Sequence, residues 1–479
     1  MKNASEKLKE VYINLFAKPY FLFLFSFFVL VLLYFIRGFV LHGQESYFYQ
    51  RISYFILENN IPNYDFLSFG GRAFLYPMGS FLFIVLTRLI SGISVDSFLI
   101  FIPIMLGIFS LMLFYYILKH FKITDNTIAF ASYTLILSPA FLHSFTHFTS
   151  FTIPLFLNIL GFFFIINEKK IFYYLAFFIY FILTFFGFIH IFFGICLLLF
   201  YFYKKNSLKK FIPYSIIILF MVYLNNHFIS FGLDVFNDKF FEYLSLFGGS
   251  YGLSVFLLFL SFFGFMWFWK DKYKNLFYYL FILLSLFVLI LNVKYLIYFN
   301  IILCVLGSFG LKYIYKLKWS SLLIRNLTII LLIFGVLFSG FSFIIENSKQ
   351  DPSKELYDSL IFLEKKTDTR DVILSHEKYG IYINSVSKRK NFADINKEYA
   401  PRANLRFHYL NNLYYSKDLT NLLRIFEEFK VSHVLITPEM KNGLVWNRNN
   451  EGLLYLLNRN PNYFERIYNE NGYEVWRVI

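Results

Sequence analysis

Apolar residues in this chain come in long unbroken blocks rather than at the spaced positions that build a globular core. Runs able to cross a hydrocarbon layer about 30 Å thick lie near 19–41, 96–118, 125–142, 150–166, 171–187, 188–203, 211–229, 251–269, 275–292, 294–311 and 322–345, which predicts about eleven transmembrane helices. The stretch 74–91 is also apolar, but counting it as a span would invert every later loop. It is expected as an interfacial or re-entrant helix on the outer surface. As a single helix, 171–203 would be about 50 Å long and carry lysine clusters on opposite sides of the membrane. The turn Phe186-Gly187-Phe188-Ile189-His190 is therefore expected to divide it into two spans.

The pattern changes after residue 346. Asp351-Pro352 opens a tail in which Val372-Ile373-Leu374 and His433-Val434-Leu435-Ile436 predict short buried strands, and Leu419 to Phe429 predicts an amphipathic helix. Phe464 to Tyr468 and Tyr473 to Val478, joined by Asn469-Glu470-Asn471-Gly472, predict a terminal hairpin. The expected organisation is a polytopic all-α membrane bundle over 1–346, with an outer loop at 42–95, followed by a soluble α/β domain over 347–479.

Composition agrees with the bilayer as main solvent: 58% of residues are hydrophobic and only 16% charged. The formal charge of +15 would suggest nucleic acid in a soluble protein, but the lysines sit in short loops between apolar blocks and read as topology signals. With a cytoplasmic N-terminus, nineteen lysines and arginines fall in inner segments, such as Lys119 and Lys122, Lys169 and Lys170, and Lys204 to Lys210. Only Arg51, Arg72, Arg88, Lys239 and Lys294 fall in outer connections. An odd number of spans then puts the tail outside the cell membrane. Cys196 and Cys304 both lie inside apolar runs, so no disulfide is expected in the soluble part. The block Phe21 to Val40 is too long for a signal-peptide core and no small-residue cleavage site follows it, so it is expected to be a retained anchor.

Candidate chemistry gathers in the outer connections. After the first span come His42-Gly43-Gln44-Glu45-Ser46-Tyr47-Phe48-Tyr49-Gln50-Arg51, Ile61-Pro62-Asn63-Tyr64-Asp65 and Gly70-Gly71-Arg72. Glu45 and Asp65 are of the type that serves as base or metal ligand, and Arg51 and Arg72 of the type that holds phosphate. Ordinary ion pairs in a solvated loop would have the same composition. His143 and His147, four residues apart, could make a metal pair, but no carboxylate stands near them and a hydrogen-bonded interfacial pair is the plainer reading. Lys294 sits where a lipid-linked phosphate would arrive, though a lone lysine there also snorkels. The loop 230–250 carries Asp234, Asp238, Lys239 and Glu242. Its glycines lack phosphate-loop spacing.

In order and spacing these features resemble the membrane glycosyltransferases of GT-C architecture, most closely the catalytic subunit of oligosaccharyltransferases. In that family the first outer loop carries an essential acid in an Asp-Ser/Gly-Tyr setting, and Gln44-Glu45-Ser46-Tyr47 occupies that place. Phe262-Phe263-Gly264-Phe265-Met266-Trp267 and Lys294-Tyr295 resemble the late spans, where an arginine contacts the lipid-linked phosphate. Arg370-Asp371-Val372-Ile373-Leu374, Lys378-Tyr379-Gly380 and Phe392-Ala393-Asp394 resemble the start of the outer domain. His376-Glu377-Lys378-Tyr379-Gly380 stands where the family has Trp-Trp-Asp-Tyr-Gly, and no acidic pair follows Ser138-Pro139. These departures argue against sequon-directed asparagine glycosylation and leave a bound divalent metal without support.

The resemblance implies transfer of a sugar from a polyprenyl-phosphate-linked donor to an acceptor on the outer face. Glu45 would be the general base with Asp65 as the second acid. Lys294, Arg72 and Arg51 would serve the phosphate, and His147 and Glu242 would be further substrate contacts. Sugar, acceptor and any cofactor stay unassigned. Oligosaccharyltransferase-like protein glycosylation, a non-catalytic binding or assembly homologue and a lipid-linked substrate transporter remain open, although the inverted repeats and midplane charges usual in transporters are not evident.

Overall fold

The computed structural model describes residues 18–224, 244–245, 252–269, 273, 276–291, 295–397, 400, 402–448 and 451–479. They divide into two compact units. One contains the chain up to Leu41 together with Pro77–Phe83 and Asp96–Lys349; the other combines His42–Tyr76, Ile84–Val95 and Gln350–Ile479.

The first unit is helical. Pro19–Arg37, Val95–His120, Leu296–Lys316 and Leu322–Ser348 are the helices long and apolar enough to cross a membrane among the described residues. Asp125–Ile136 and Pro139–Thr146 would form a fifth span as a bent pair, at 61°. The run 125–142 bends because Pro139 disfavours helical geometry at the residue before it. Ser138 is accordingly extended and caps the new helix, its Oγ accepting from Phe141 N at 3.4 Å. The run 171–203 is two helices, Lys170–Leu183 and Phe188–Lys204, parted at Gly187 with φ 113°. Thr152–Ile166 and Val255–Trp269, 15 residues each, reach only about 22 Å at roughly 1.5 Å per residue.

Close packing here rests on small residues, as expected where lipid removes any hydrophobic drive between helices. Val255–Trp269 crosses Leu296–Lys316 with backbones in contact: a Cβ at Gly264 would run into the Leu306 carbonyl, and one at Gly310 into the Leu260 carbonyl. Ser261 Oγ donates across the same seam to Leu303 O at 2.8 Å.

The second unit is built on a five-stranded sheet in the order Lys390–Asn391, Val372–Leu374, Val431–Ile436, Tyr473–Val478, Phe464–Glu470. The first three strands are parallel and the last two form an antiparallel hairpin. That hairpin turns at Asn471 and Gly472, both at positive φ (50° and 84°), the geometry that Asn-Gly favours. Leu419–Glu428 buries Leu422, Ile425 and Phe426 at helical spacing, and Asp418 Oδ1 caps it by accepting from Thr420 N at 2.9 Å. Trp446 is fully buried, its Nε1 donating to Tyr414 O at 2.8 Å. Every strand and helix expected in the tail is present within a residue or two of its predicted bounds. The helix Gln44–Glu58 and the small hairpin of Tyr64–Asp65 with Arg72–Ala73 complete this unit.

Candidate functional site

Three of the candidate residues from the first loop come together. Arg51, on the helix Gln44–Glu58, meets Asp65 as a two-pronged fork, with Nη1 to Oδ1 at 2.8 Å and Nη2 to Oδ2 at 2.7 Å. The pair is buried, its side chains 12% and 1% exposed. Asp65 Oδ1 also accepts from Leu67 N at 3.2 Å, so its oxygens are fully engaged. Burial alone would raise the Asp65 carboxyl, but the charge and hydrogen bonds of Arg51, the charge of Arg72 and the Leu67 N–H outweigh it and hold it at about 2. Arg72 is buried as well. It donates through Nη1 to Asn396 O and lies over the rings of Phe69 and Tyr76, at 5.6 and 5.1 Å.

The loop is stitched to the tail by residues that the pattern of the sequence did not single out as partners. Ser68 Oγ donates to Asp394 Oδ2 at 2.6 Å. That carboxylate also takes Asn391 Nδ2 at 3.0 Å and Asn396 N at 2.9 Å. Phe69 N donates to Asn391 Oδ1 at 2.7 Å, and Asn391 N returns to Leu67 O at 3.0 Å. Ser385 Oγ donates to Tyr47 O at 3.0 Å, and the Tyr47 ring meets Tyr382 edge-on at 5.3 Å. The signal in the sequence is Phe392-Ala393-Asp394, which carries part of the resemblance to the outer domain. Glu45 is half-buried in the first turn of Gln44–Glu58, a favourable position for an acid at the positive end of a helix dipole. Gly43 precedes it at φ 81°.

His147 belongs to the helical unit, 3% exposed, with its ring 4.8 Å from that of His143 and its Nδ1 3.4 Å from Thr146 Oγ1. Around this segment Tyr34 donates to Thr146 O at 2.7 Å, Asn347 Nδ2 to Thr146 Oγ1 at 3.1 Å, and Asn300 Nδ2 to Ser138 Oγ at 2.8 Å. A second buried polar group, also unforeseen, joins three helices: His190 Nδ1 lies 2.8 Å from Tyr298 Oη, and Asn158 Nδ2 donates to His190 O at 2.9 Å. Lys294 and Glu242 lie outside the described residues. Among the described residues no group of three His, Cys, Asp or Glu side chains could hold a metal ion.

No protein-family model matches the chain, and no curated protein matches it. Solved structures do. The Archaeoglobus fulgidus oligosaccharyltransferase in complex with Zn and sulfate is 14% identical with a TM-score of 0.62, over 95% of this chain and 73% of that one. ArnT from Cupriavidus metallidurans bound to undecaprenyl phosphate is 9% identical with a TM-score of 0.50, over 96% and 97%. The mycobacterial arabinofuranosyltransferase AftD is 12% identical with a TM-score of 0.55, over 95% of this chain and 40% of that one. All three are GT-C glycosyltransferases. The chain has the GT-C fold. The GT-C likeness takes in both the helical unit and the tail, since ArnT and this chain cover one another almost end to end.

Proposed function

We propose that this GT-C chain is a membrane glycosyltransferase moving a sugar from a polyprenyl-phosphate-linked donor to an acceptor on the outer face of the membrane. The observation that carries the reading is the end-to-end likeness to ArnT in a structure that holds undecaprenyl phosphate. In this proposal the bundle has about eleven spans, the N-terminus is cytoplasmic, and both the first loop and the 347–479 domain lie outside.

The chemistry follows from residue types. An acceptor nucleophile attacks the anomeric carbon, the bond from that carbon to the phosphate oxygen breaks, and the lipid phosphate leaves with the electron pair. Glu45 takes the acceptor's proton as general base. Lys294 neutralises the leaving phosphate, where a cation in a low-dielectric setting is worth most. Arg51, Asp65 and Arg72, engaged as described, hold the loop that carries Glu45. His147 and Glu242 are candidate contacts to donor or acceptor.

Glu45→Gln tests this. The variant should fold and bind lipid donor but transfer sugar about 100-fold or more slowly, the usual size of a general-base contribution, while Glu45→Asp keeps part of the rate. Full activity in Glu45→Gln would remove Glu45 from the mechanism. Wild-type protein that moves no sugar from any lipid donor of its own membranes would favour a binding or assembly role instead.

A further inference from the structure

Facing stretches of several helices in the first unit, Phe188–Lys204, Leu276–Leu291 and Leu296–Lys316 among them, leave a cavity of about 380 Å³. Its walls are aliphatic and aromatic over nearly their whole extent, Phe162, Leu197, Phe268, Ile282 and Val305 among them. One end is different. There Lys204 Nζ lies 2.5 Å from Tyr278 Oη and stands over the rings of Phe121 and Tyr278, at 5.7 and 5.2 Å. Among the described residues no carboxylate pairs with Lys204, whereas its neighbour Lys205 pairs with Glu168.

A void of this size lies in the range of ligand pockets, about 300–1,000 Å³, and an apolar lining gives water nothing to bind. Hydrocarbon suits it. The Lys204 ammonium beside the Tyr278 hydroxyl at one end then calls for an anionic head on that hydrocarbon. Lys204 closes the helix Phe188–Lys204, about 24 Å from its other end at roughly 1.5 Å per residue. It thus belongs to the lysine-rich face with Lys119, Lys122, Lys205, Lys209 and Lys210, whose combined charge draws anionic lipid. In the proposed reaction the donor phosphate arrives at the opposite face, so the occupant of this cavity is a resident lipid rather than the donor.

We propose that the cavity holds an acyl chain of an anionic glycerophospholipid whose phosphate is bound by Lys204 and Tyr278. An anionic lipid in the cavity does not depend on sugar transfer, and only the choice of a resident lipid over the donor rests on the proposed function. Full-length protein in detergent micelles is titrated with phosphatidylglycerol and with phosphatidylcholine of matched chains, and lipid adducts are counted by native mass spectrometry. Wild type should retain phosphatidylglycerol preferentially. Lys204→Gln should weaken it about five-fold, the size expected for one lysine at a lipid headgroup, and leave phosphatidylcholine unchanged, while Lys204→Arg keeps the preference. Val305→Trp, which fills the cavity, should remove the tight adduct of either lipid. Equal retention of the two lipids by wild type, or undiminished phosphatidylglycerol in Lys204→Gln, would overturn the site. Displacement of phosphatidylglycerol by equimolar undecaprenyl phosphate would overturn the choice of occupant.

Discussion

Replacing Asp65 by Asn tests how the first loop is held. The substitution keeps the shape of the side chain but removes the charge that faces Arg51 in a setting where the two side chains are 1% and 12% exposed. Removing one partner of a buried pair costs about 3–5 kcal/mol, because the remaining charge is left uncompensated, whereas replacing both by apolar groups approaches neutrality. At about 2–4 °C per kcal/mol for a domain of this size, Asp65→Asn should lower the unfolding midpoint of the tail unit by about 10 °C. The double variant Asp65→Asn/Arg51→Met should recover most of that loss. Full-length protein in detergent, heated and sampled by brief proteolysis, reports the midpoint.

Acid titration gives an independent measure. The Asp65 carboxyl is held at about 2 against an ordinary 3.8. A depressed folded value means that the contribution is complete above the unfolded value and is lost as pH falls through the folded one. That depression corresponds to about 2 kcal/mol, lost between roughly pH 4 and pH 2. Asp65→Asn should lose that part of the acid dependence. A variant with the wild-type midpoint and the wild-type acid profile would refute the view that the fork holds the loop.

Two further outcomes follow from charge along the sequence. Cysteines placed at Ser320 and Lys417 should differ on intact cells, only the second reacting with an impermeant thiol reagent; labelling of both would overturn the orientation drawn from the lysines. Lys294→Ala should weaken lipid-donor binding more than Lys294→Arg, since a cation is what the phosphate needs; equal affinity in wild type and both variants would leave Lys294 as a snorkelling side chain.

The tail was legible because its signals are local. The short unbroken apolar run Val372-Ile373-Leu374, the Asn471-Gly472 turn and the spacing of Leu422, Ile425 and Phe426 each fix an element without reference to the rest of the chain. The break at Gly187 could be read for a similar reason, as charge on both sides made one helix untenable. The bend at Ser138-Pro139 was missed, although a proline after serine is itself a cap signal, because hydropathy averaged over a window does not register it. The junction of loop and tail is of another kind. Ser68 and Asp394 stand 326 residues apart, and nothing in either neighbourhood says that one will donate to the other. Arg51 and Asp65 were noticed for their type, but their mutual pairing depends on a helix and a hairpin meeting in three dimensions.

That pairing separates two acids that look alike in the sequence. A general base must offer a free lone pair and a proton affinity suited to neutral pH. Asp65 offers neither: both oxygens face the Arg51 fork, and a carboxyl held at about 2 is a weak acceptor whose protonation would break the fork. Glu45 belongs to the same unit, half-buried in the first turn of the helix Gln44–Glu58. If Glu45→Gln transfers sugar normally, Asp65 is therefore no substitute, and an Asp65→Asn variant with reduced transfer would trace to a loosened loop. The two cases are distinguishable, since loss of the base lowers the rate at every temperature, while a loosened loop lowers it most near the reduced unfolding midpoint. An Asp65→Asn rate that is depressed equally at all temperatures, with the midpoint intact, would return Asp65 to the chemistry.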